Sequence, residues 1–370
     1  MRIFFIGAKG FPAATVPGGG GVERHVEEVA VRLAERGHQV FVYARDYTVD
    51  PRRKKFKGVH IIPLFSWRSK NIATISHVFL ATMHVLSQRA DIIHYHGIGP
   101  ATLAWIPRLF KPRAKIIVTF HSRDRMDPKW SWFARTYLAF GEWAALSFPH
   151  QTIVVSHVLQ IFCQKLYGRR TIYIPNGAEV HKKEGTSLLK LFDVMPNQYL
   201  LSVGRLVANK AYDVAMQAYK KVDSTMPFLI VGDAEYATAH VEHLAHLAAQ
   251  DPRVHLVGHQ DGKALHQLLA HCYAFIHPSR AEGLSTAVLE AMAHGKAVIM
   301  SNIKENMELI DHSGIAFRVD DRRALQKTLE WVVQDTTMIR ERGLRAQKIV
   351  RQKYSWDSVV RRIEEVYTSK

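Results

Sequence analysis

The chain has 370 residues, long for one domain and comfortable for two, and 47% of them are hydrophobic, enough for sizeable cores. Its two cysteines, Cys163 and Cys272, belong to no Cys-x-x-Cys pair, which excludes a disulfide scaffold and a thiolate metal site and fits a reducing compartment. The formal net charge is +17, and residues 1–180 hold most of it, with 25 Lys+Arg against 11 Asp+Glu, or +14.

A basic half suggests an anionic partner: a lipid headgroup, a phosphate-bearing acceptor or nucleic acid. The apolar run at residues 3–6 is too short for a signal peptide, and no run approaches the ~20 residues of a membrane-spanning helix. The expected place is the cytoplasm, free or peripheral on a membrane face. Residues 3–7 read as a buried strand. A loop over 10–21 follows, with four successive glycines ending in Gly20 and Gly21. An amphipathic helix then spans 22–36, with Val22, Val26, Val29, Ala30 and Leu33 at helical spacing. A glycine-rich turn before a helix N-terminus lets backbone N–H groups approach a phosphate. The spacing is not that of a Gly-x4-Gly-Lys-Ser/Thr loop. Strands at 40–43 and 59–64 flank the basic connector Arg52-Arg53-Lys54-Lys55-Phe56-Lys57. A helix over 72–86 places Ile72, Ile75, Val78, Phe79, Thr82 and Leu86 broadly on one side. The strand at 92–96 turns His94 and His96 the same way. No third metal ligand is near them in sequence, so a structural or substrate-facing role is expected. The strand at 115–120 ends in His121, where parallel strands meet ligands. Residues 129–148 are rich in aromatics (Trp130, Trp132, Phe133, Tyr137, Phe140, Trp143, Phe148), most of them expected in the core, although Trp beside Arg and Lys also suits a membrane interface. Strands at 152–156 and 171–175 and a turn at Pro175-Asn176-Gly177 close this half.

Residues 181–197 read as a linker. A second alternation follows, with strands at 199–203, 228–231, 254–257, 274–276, 297–300 and 315–319. The first ends in Gly204-Arg205-Leu206-Val207-Ala208-Asn209-Lys210, which puts two fixed cations beside a strand end, suited to a diphosphate. Gly232-Asp233 and residues 258–262 are candidates for holding a nucleotide base. The densest stretch is 275–299. Its strand ends at His277-Pro278-Ser279, and a loop carries Glu282, Gly283 and Leu284. A helix begins near Ser285 or Thr286 and carries Glu290, and Gly295 stops it before another buried strand. Eight positions separate the two glutamates, roughly 12 Å of rise if both were helical. One carboxylate therefore precedes the helix and the other sits on its second turn, with the phosphate-attracting N-terminus between them. That suits a ligand with a sugar at each end of a diphosphate. Residues 355–367 form a terminal helix.

This string resembles the Glu-x7-Glu motif of the family 4 glycosyltransferases, retaining enzymes of the two-domain GT-B type. The Gly-Arg-x4-Lys spacing of 204–210 resembles that family's second motif. The resemblance implies an α/β chain of two doubly wound Rossmann-like domains facing a cleft. An acceptor-side domain would span 1–180, with the helix over 355–370 packing back on it, and a nucleotide-sugar-binding domain would span 181–354. The implied activity is transfer of a hexose from a nucleotide-diphosphate sugar to an acceptor hydroxyl with retention, in cell-surface polysaccharide or glycolipid synthesis. Carried over by position, Glu290 holds the ribose and Glu282 the transferred sugar. Gly283, Leu284 and Ser285 meet the donor at the helix start. Arg205 and Lys210 stabilise the departing diphosphate, Gly20 and Gly21 meet it from the first domain, and His121 reaches the sugar near the reacting carbon. Two extra glycines before Gly20 depart from the pattern. So does Gly232-Asp233-Ala234-Glu235, where the family often has Gly-x-Gly-Pro, which leaves the base open. No Asp-x-Asp occurs, so no metal or other cofactor is expected, and cationic side chains take an ion's place. A nucleotide-sugar epimerase of the same architecture is the rival enzyme. A nucleic-acid-binding protein is the rival on charge, but zinc-finger spacing and an RNA-binding aromatic string are missing. The expected partners are a nucleotide-sugar donor, a sugar or lipid-linked acceptor and an anionic membrane surface, with no nucleic acid. The oligomeric state is left open.

Overall fold

The computed structural model describes residues 1–16, 19–50, 52–69, 72–123, 125, 131–180, 184–233, 238–310 and 313–369, the side chains of Phe133 and Thr238 excepted. The chain forms two compact units, Met1–Asn176 with Trp356–Lys370, and Gly177–Ser355. In the first unit the order is β1 (Arg2–Ile6), α1 (Gly21–Glu35), β2 (Gln39–Arg45), β3 (Lys55–Phe56), β4 (Val59–Leu64), α2 (Ala73–Ser87), β5 (Ile92–His96), α3 (Ile98–Ala101), α4 (Trp105–Phe110), β6 (Lys115–Phe120), α5 (Trp132–Ser147), β7 (Gln151–Val154), α6 (His157–Tyr167) and β8 (Ile172–Tyr173). The second unit runs β9 (Leu200–Val203), α7 (Tyr212–Tyr219), β10 (Phe228–Val231), α8 (Thr238–Ala248), β11 (Val254–Leu256), α9 (Gly262–His271), β12 (Ala274–His277), α10 (Thr286–Ala293), β13 (Val298–Ser301), α11 (Lys304–Ile310), β14 (Ile315–Phe317), α12 (Arg322–Gln334) and α13 (Thr336–Lys353). The last helix, α14 (Trp356–Thr368), returns to the first unit.

Apolar runs such as Phe228–Val231 carry no alternation because both faces of these sheets are covered by helices. The sheet orders are β3-β4-β2-β1-β5-β6-β7-β8 and β11-β10-β9-β12-β13-β14. Among the described residues only β3 against β4 is antiparallel. Each sheet grows in both directions from its first strand, β1 or β9. In such sheets the loops at the reversal are where ligands bind. The expected α/β class with two doubly wound halves is what the chain adopts. In the first unit, Val26, Val29, Ala30 and Leu33 of α1 are fully buried, and Val359, Val360, Ile363, Val366 and Tyr367 of α14 join the same core. Arg36 and His38 both bind the Glu364 carboxylate, at 2.9 and 2.6 Å, fixing α14 beside the end of α1.

Three local expectations change. Residues 184–197 are not a free linker. Leu189 and Val194 are buried, the Leu188 N–H donates to Gln267 Oε1 of α9, and the Asn197 N–H donates to the His271 carbonyl. Residues 181–183 lie outside the described residues. The apolar side expected of the helix over 72–86 splits: Val78 and Thr82 are buried, while Ile72, Ile75 and Phe79 stand exposed beside exposed Phe65 and Trp67. The described aromatic side chains of 129–148 are not core either. Trp132, Phe140 and Trp143 are exposed, and Tyr137 and Phe148 are half-buried. The inward face of α5 is taken by Gly141, Ala144 and Ala145, and a Cβ on Gly141 would come within 2.7 Å of the Ile98 carbonyl oxygen of α3. That close helix approach leaves the large rings outside. Trp130 lies outside the described residues.

Candidate active site

In the second unit the two reversal loops follow β9 and β12. Gly204 ends β9 with φ +154, and Gly232 ends β10 with φ +155. A Cβ on Gly232 would lie 1.9 Å from the Gly204 carbonyl oxygen, so only glycine permits this contact. After Gly204 the chain makes a 3-10 turn over Ala208–Lys210 and enters α7 through Ala211 at φ +52. After β12, Pro278 and Ser279 lead to Arg280. The Arg280 N–H donates to the Asn209 carbonyl at 2.8 Å, and its guanidinium donates to the Ala208 carbonyl and, at 2.6 Å, to Asp320. Arg280 thereby ties the two loops together.

The tie brings Lys210 Nζ to 2.5 Å from Glu282 Oε1, with His277 Nε2 2.9 Å from the same oxygen. The His277 contact has ion-pair distance without a hydrogen bond's alignment. Burial works to raise the Glu282 carboxyl, but the Lys210 ammonium, with His277 adding to it, outweighs burial and holds it well below the usual carboxylate range. Burial pushes His277 below its ordinary value against the pull of Glu282. Among the described residues Glu282 Oε2 takes no hydrogen bond, which leaves it able to accept from a ligand hydroxyl. Gly283, Leu284 and Ser285 are buried. Ser285 caps α10, its Oγ accepting from the Val288 N–H at 3.4 Å. Glu290, half-buried, lies on the second turn of α10. Arg205 is exposed and forms no ion pair among the described residues, so its guanidinium is uncommitted. Of the base-holding candidates, Gly232 and Asp233 are described, whereas Ala234 and Glu235 lie outside the described residues. Sequence reasoning missed His277 as a partner of Glu282. Its place at a strand end, the same argument that singled out His121, would have found it.

In the first unit Gly20 precedes α1 and Gly21 opens it. The Glu23 carboxylate accepts from the Gly20 N–H at 2.8 Å and from the Lys9 N–H at 3.2 Å, and Glu27 accepts from the Ala13 N–H at 2.6 Å. The glycine-rich loop is thus strapped to α1 by two acidic side chains. Part of the donor capacity at that helix start is already used. Gly7, at φ +118, ends β1, and a Cβ there would lie 2.5 Å from the His96 carbonyl oxygen. His121 follows β6, buried, with Nε2 3.2 Å from His96 Nδ1. The His25 ring meets the His121 ring edge to face at 4.9 Å. His94 stacks beside His96 at 4.2 Å, its Nδ1 2.6 Å from the Tyr367 hydroxyl and its Nε2 2.7 Å from Thr119. Burial drives all four imidazoles below their ordinary value, His25 to about 4 and the others well below 6.5, and neighbouring rings lower His94, His96 and His121 further.

Two doubly wound units, one with a carboxylate pair straddling a helix start and a lysine against the first carboxylate, define a glycosyltransferase of the GT-B class. The chain belongs to glycosyltransferase family 4: that family's model matches residues 19–182, and the model for glycosyl transferases group 1 matches residues 197–335. Among similar proteins, the gpi3 subunit of phosphatidylinositol N-acetylglucosaminyltransferase from Schizosaccharomyces pombe is 23% identical over 367 residues, 95% of this chain and 78% of that protein. The N-acetyl-alpha-D-glucosaminyl L-malate synthase of Bacillus anthracis is 24% identical over 92% of this chain and 91% of its own. Similar folds include sucrose-phosphate synthase from Thermosynechococcus elongatus (TM-score 0.86, 20% identity, 99% of this chain and 98% of that one). Anabaena HepE in complex with UDP and glucose is also similar (TM-score 0.83, 20% identity, all of both chains).

Proposed function

We propose that this glycosyltransferase is a retaining hexosyltransferase that moves glucose or N-acetylglucosamine from a UDP-linked donor to a lipid-linked acceptor hydroxyl, in cell-surface glycolipid or polysaccharide synthesis. The observation that carries the reading is the Lys210–Glu282 contact beside the start of α10. A carboxylate held so far down is a weak base, suited to accepting hydrogen bonds from sugar hydroxyls. Arg205 and Lys210 supply positive charge for the leaving diphosphate without a metal ion. Glu290 takes the ribose hydroxyls, Gly20 and Gly21 add backbone donors, and His121 holds the sugar near its reacting carbon. The acceptor attacks on the face the diphosphate leaves, its proton passing to the departing phosphate oxygen, and the anomeric configuration is kept. The UDP donor and the sugars follow what the relatives named above carry or make. The test is a donor screen for release of nucleoside diphosphate, with the product's anomeric proton read by NMR and chelator present throughout. An α-linked product from an α-linked donor supports the reading. A β-linked product overturns retention, and a new nucleotide sugar formed without acceptor makes the protein an epimerase.

The acceptor surface follows from the first unit. It carries most of the net charge, an exposed Arg52–Lys55 run, and the exposed apolar group Phe65, Trp67, Ile72, Ile75 and Phe79 on and beside α2. None of the described helices is long and apolar enough to cross a membrane. Basic residues over an anionic bilayer, with apolar side chains entering its interface, give reversible attachment.

A further inference from the structure

We propose that His25, His96 and His121 of the first unit form a binding site for a divalent transition metal ion of the zinc class. One ring nitrogen from each lies within 4.8 Å of the other two, and all three side chains are buried. Three imidazoles around a tetrahedral zinc, at about 2.0–2.1 Å from it, place their nitrogens roughly 3.3 Å apart. His96 Nδ1 and His121 Nε2 already stand at 3.2 Å, so mainly the His25 ring has to close in.

The hydrogen bonds favour the ligating tautomer. Asn176 Oδ1 accepts from His25 Nδ1 at 2.9 Å, which leaves the lone pair on Nε2. A metal-bound imidazole usually has this kind of oxygen acceptor behind it. His25 Nε2 is buried without a hydrogen-bond partner among the described residues. A buried polar atom left so is costly unless a ligand takes it. His94, by contrast, spends both nitrogens on Tyr367 and Thr119 and has none to offer. The rings are neutral, as metal ligands must be. Nitrogen ligands select zinc, cobalt or nickel over magnesium and calcium, which seek oxygen. The ion would displace the hydrogen bond between His96 and His121, and that N–H moves to its own ring's other nitrogen, so no proton is lost.

Occupancy would take His121 from the sugar and inhibit transfer. This consequence rests on the role proposed for His121, whereas the site itself does not. The test uses the tag-free full chain, stripped with chelator and titrated with Co²⁺. One equivalent should bind with the visible absorption of a four-coordinate ion, displaced by Zn²⁺ and not by Mg²⁺. His25→Ala and His96→Ala, with native circular dichroism, should abolish the band. Asn176→Ala should weaken Zn²⁺ about 10–100-fold while keeping all three ligands. His77→Ala, a buried histidine elsewhere in the unit, should bind as the unaltered chain does. If the unaltered chain binds no Co²⁺, or if both ligand variants bind as it does, the site is overturned. Binding without inhibition of transfer keeps the site and overturns the role of His121.

Discussion

The two units share one frame and treat charge in opposite ways. Each sheet grows outward from its first strand, and each puts its polar side chains on the loops at the reversal. In the second unit those loops meet through an ion pair, Lys210 with Glu282, kept charged in a half-buried place. In the first they meet through imidazoles kept neutral by burial. A half-buried carboxylate stays charged because a lysine arrives with it, and a cluster of buried histidines survives because none is protonated. One frame therefore yields a unit with a fixed ion pair at its reversal and a unit able to donate and accept hydrogen bonds without adding charge.

Acid should separate the units most strongly. His25 and His77 are held at about 4 by burial, and His94, His96 and His121 are also driven down. The unfolded value is near 6.5, so the folded state binds fewer protons. The stability these groups allow is complete above ~6.5 and is lost as pH falls toward the folded values, at about 1.4 kcal/mol per pH unit for each such imidazole. Glu282 runs the other way round. Its folded value is depressed, so its contribution holds above the unfolded value of ~4.3 and fades only in stronger acid. Between pH 6 and 4.5 the first unit, with five such imidazoles, should unfold ahead of the second, where burial drives down His277 and His240. Trp331 is the one tryptophan of the second unit and six belong to the first, so fluorescence should change ahead of the second unit's calorimetric transition. Coincident transitions would break the comparison.

The next largest effect is Lys210→Met. Turnover should fall about 10²-fold or more. The half-buried Glu282 loses its counter-charge, at a cost of about 1–3 kcal/mol to the second unit. Burial, opposed then by His277 without the lysine, raises the Glu282 carboxyl relative to the unaltered chain, so the variant's stability deficit should shrink as pH drops from 8 to 5, opposite to the first unit. Arg205→Ala should show a similar loss of turnover with unchanged melting, because its guanidinium is exposed and unpaired among the described residues. Equal melting losses in both variants would contradict the geometry. Calorimetric titration with UDP sharpens the carboxylates. Glu290→Gln should weaken UDP and donor alike by about tenfold, the scale of one hydrogen bond to a charged group. Glu282→Gln should leave UDP nearly unaffected and lower transfer. The smallest effect is on vesicle cosedimentation. Each of Arg52, Arg53, Lys54 and Lys55 changed to Ser should remove about 1 kcal/mol or less of attraction to anionic vesicles, less at higher salt. Salt-independent binding would remove the membrane reading.

Much of the frame was legible. The strands at 59–64, 92–96, 115–120 and 228–231 have the bounds read from their apolar runs, because burial on both faces leaves an unbroken signal. Glu282 and Lys210 were each visible as strand-end residues, but their contact was not, since it depends on Arg280 joining loops 72 positions apart. Nor could the sequence bring His25 to His96 and His121: His25 lies on α1 after β1, His96 ends β5 and His121 follows β6, and the order β1-β5-β6 makes them neighbours. The outward rings of α5 were misread because aromatic content signals burial on average, while Gly141 and the alanines beside it had already claimed the inner face.

The return of α14 to the first unit has a consequence for synthesis. That helix covers α1 with Val359, Val360 and Ile363 and brings the Tyr367 hydroxyl to His94. A ribosome makes the whole of residues 177–355 before it makes α14. The first unit, though first to emerge, therefore waits with an apolar face of α1 uncovered until the second has been translated. The second unit is continuous in the chain and can close on its own strands meanwhile. Nascent chains arrested before residue 356 should accordingly protect residues 198–333 from protease ahead of residues 20–45, the reverse of their order of emergence.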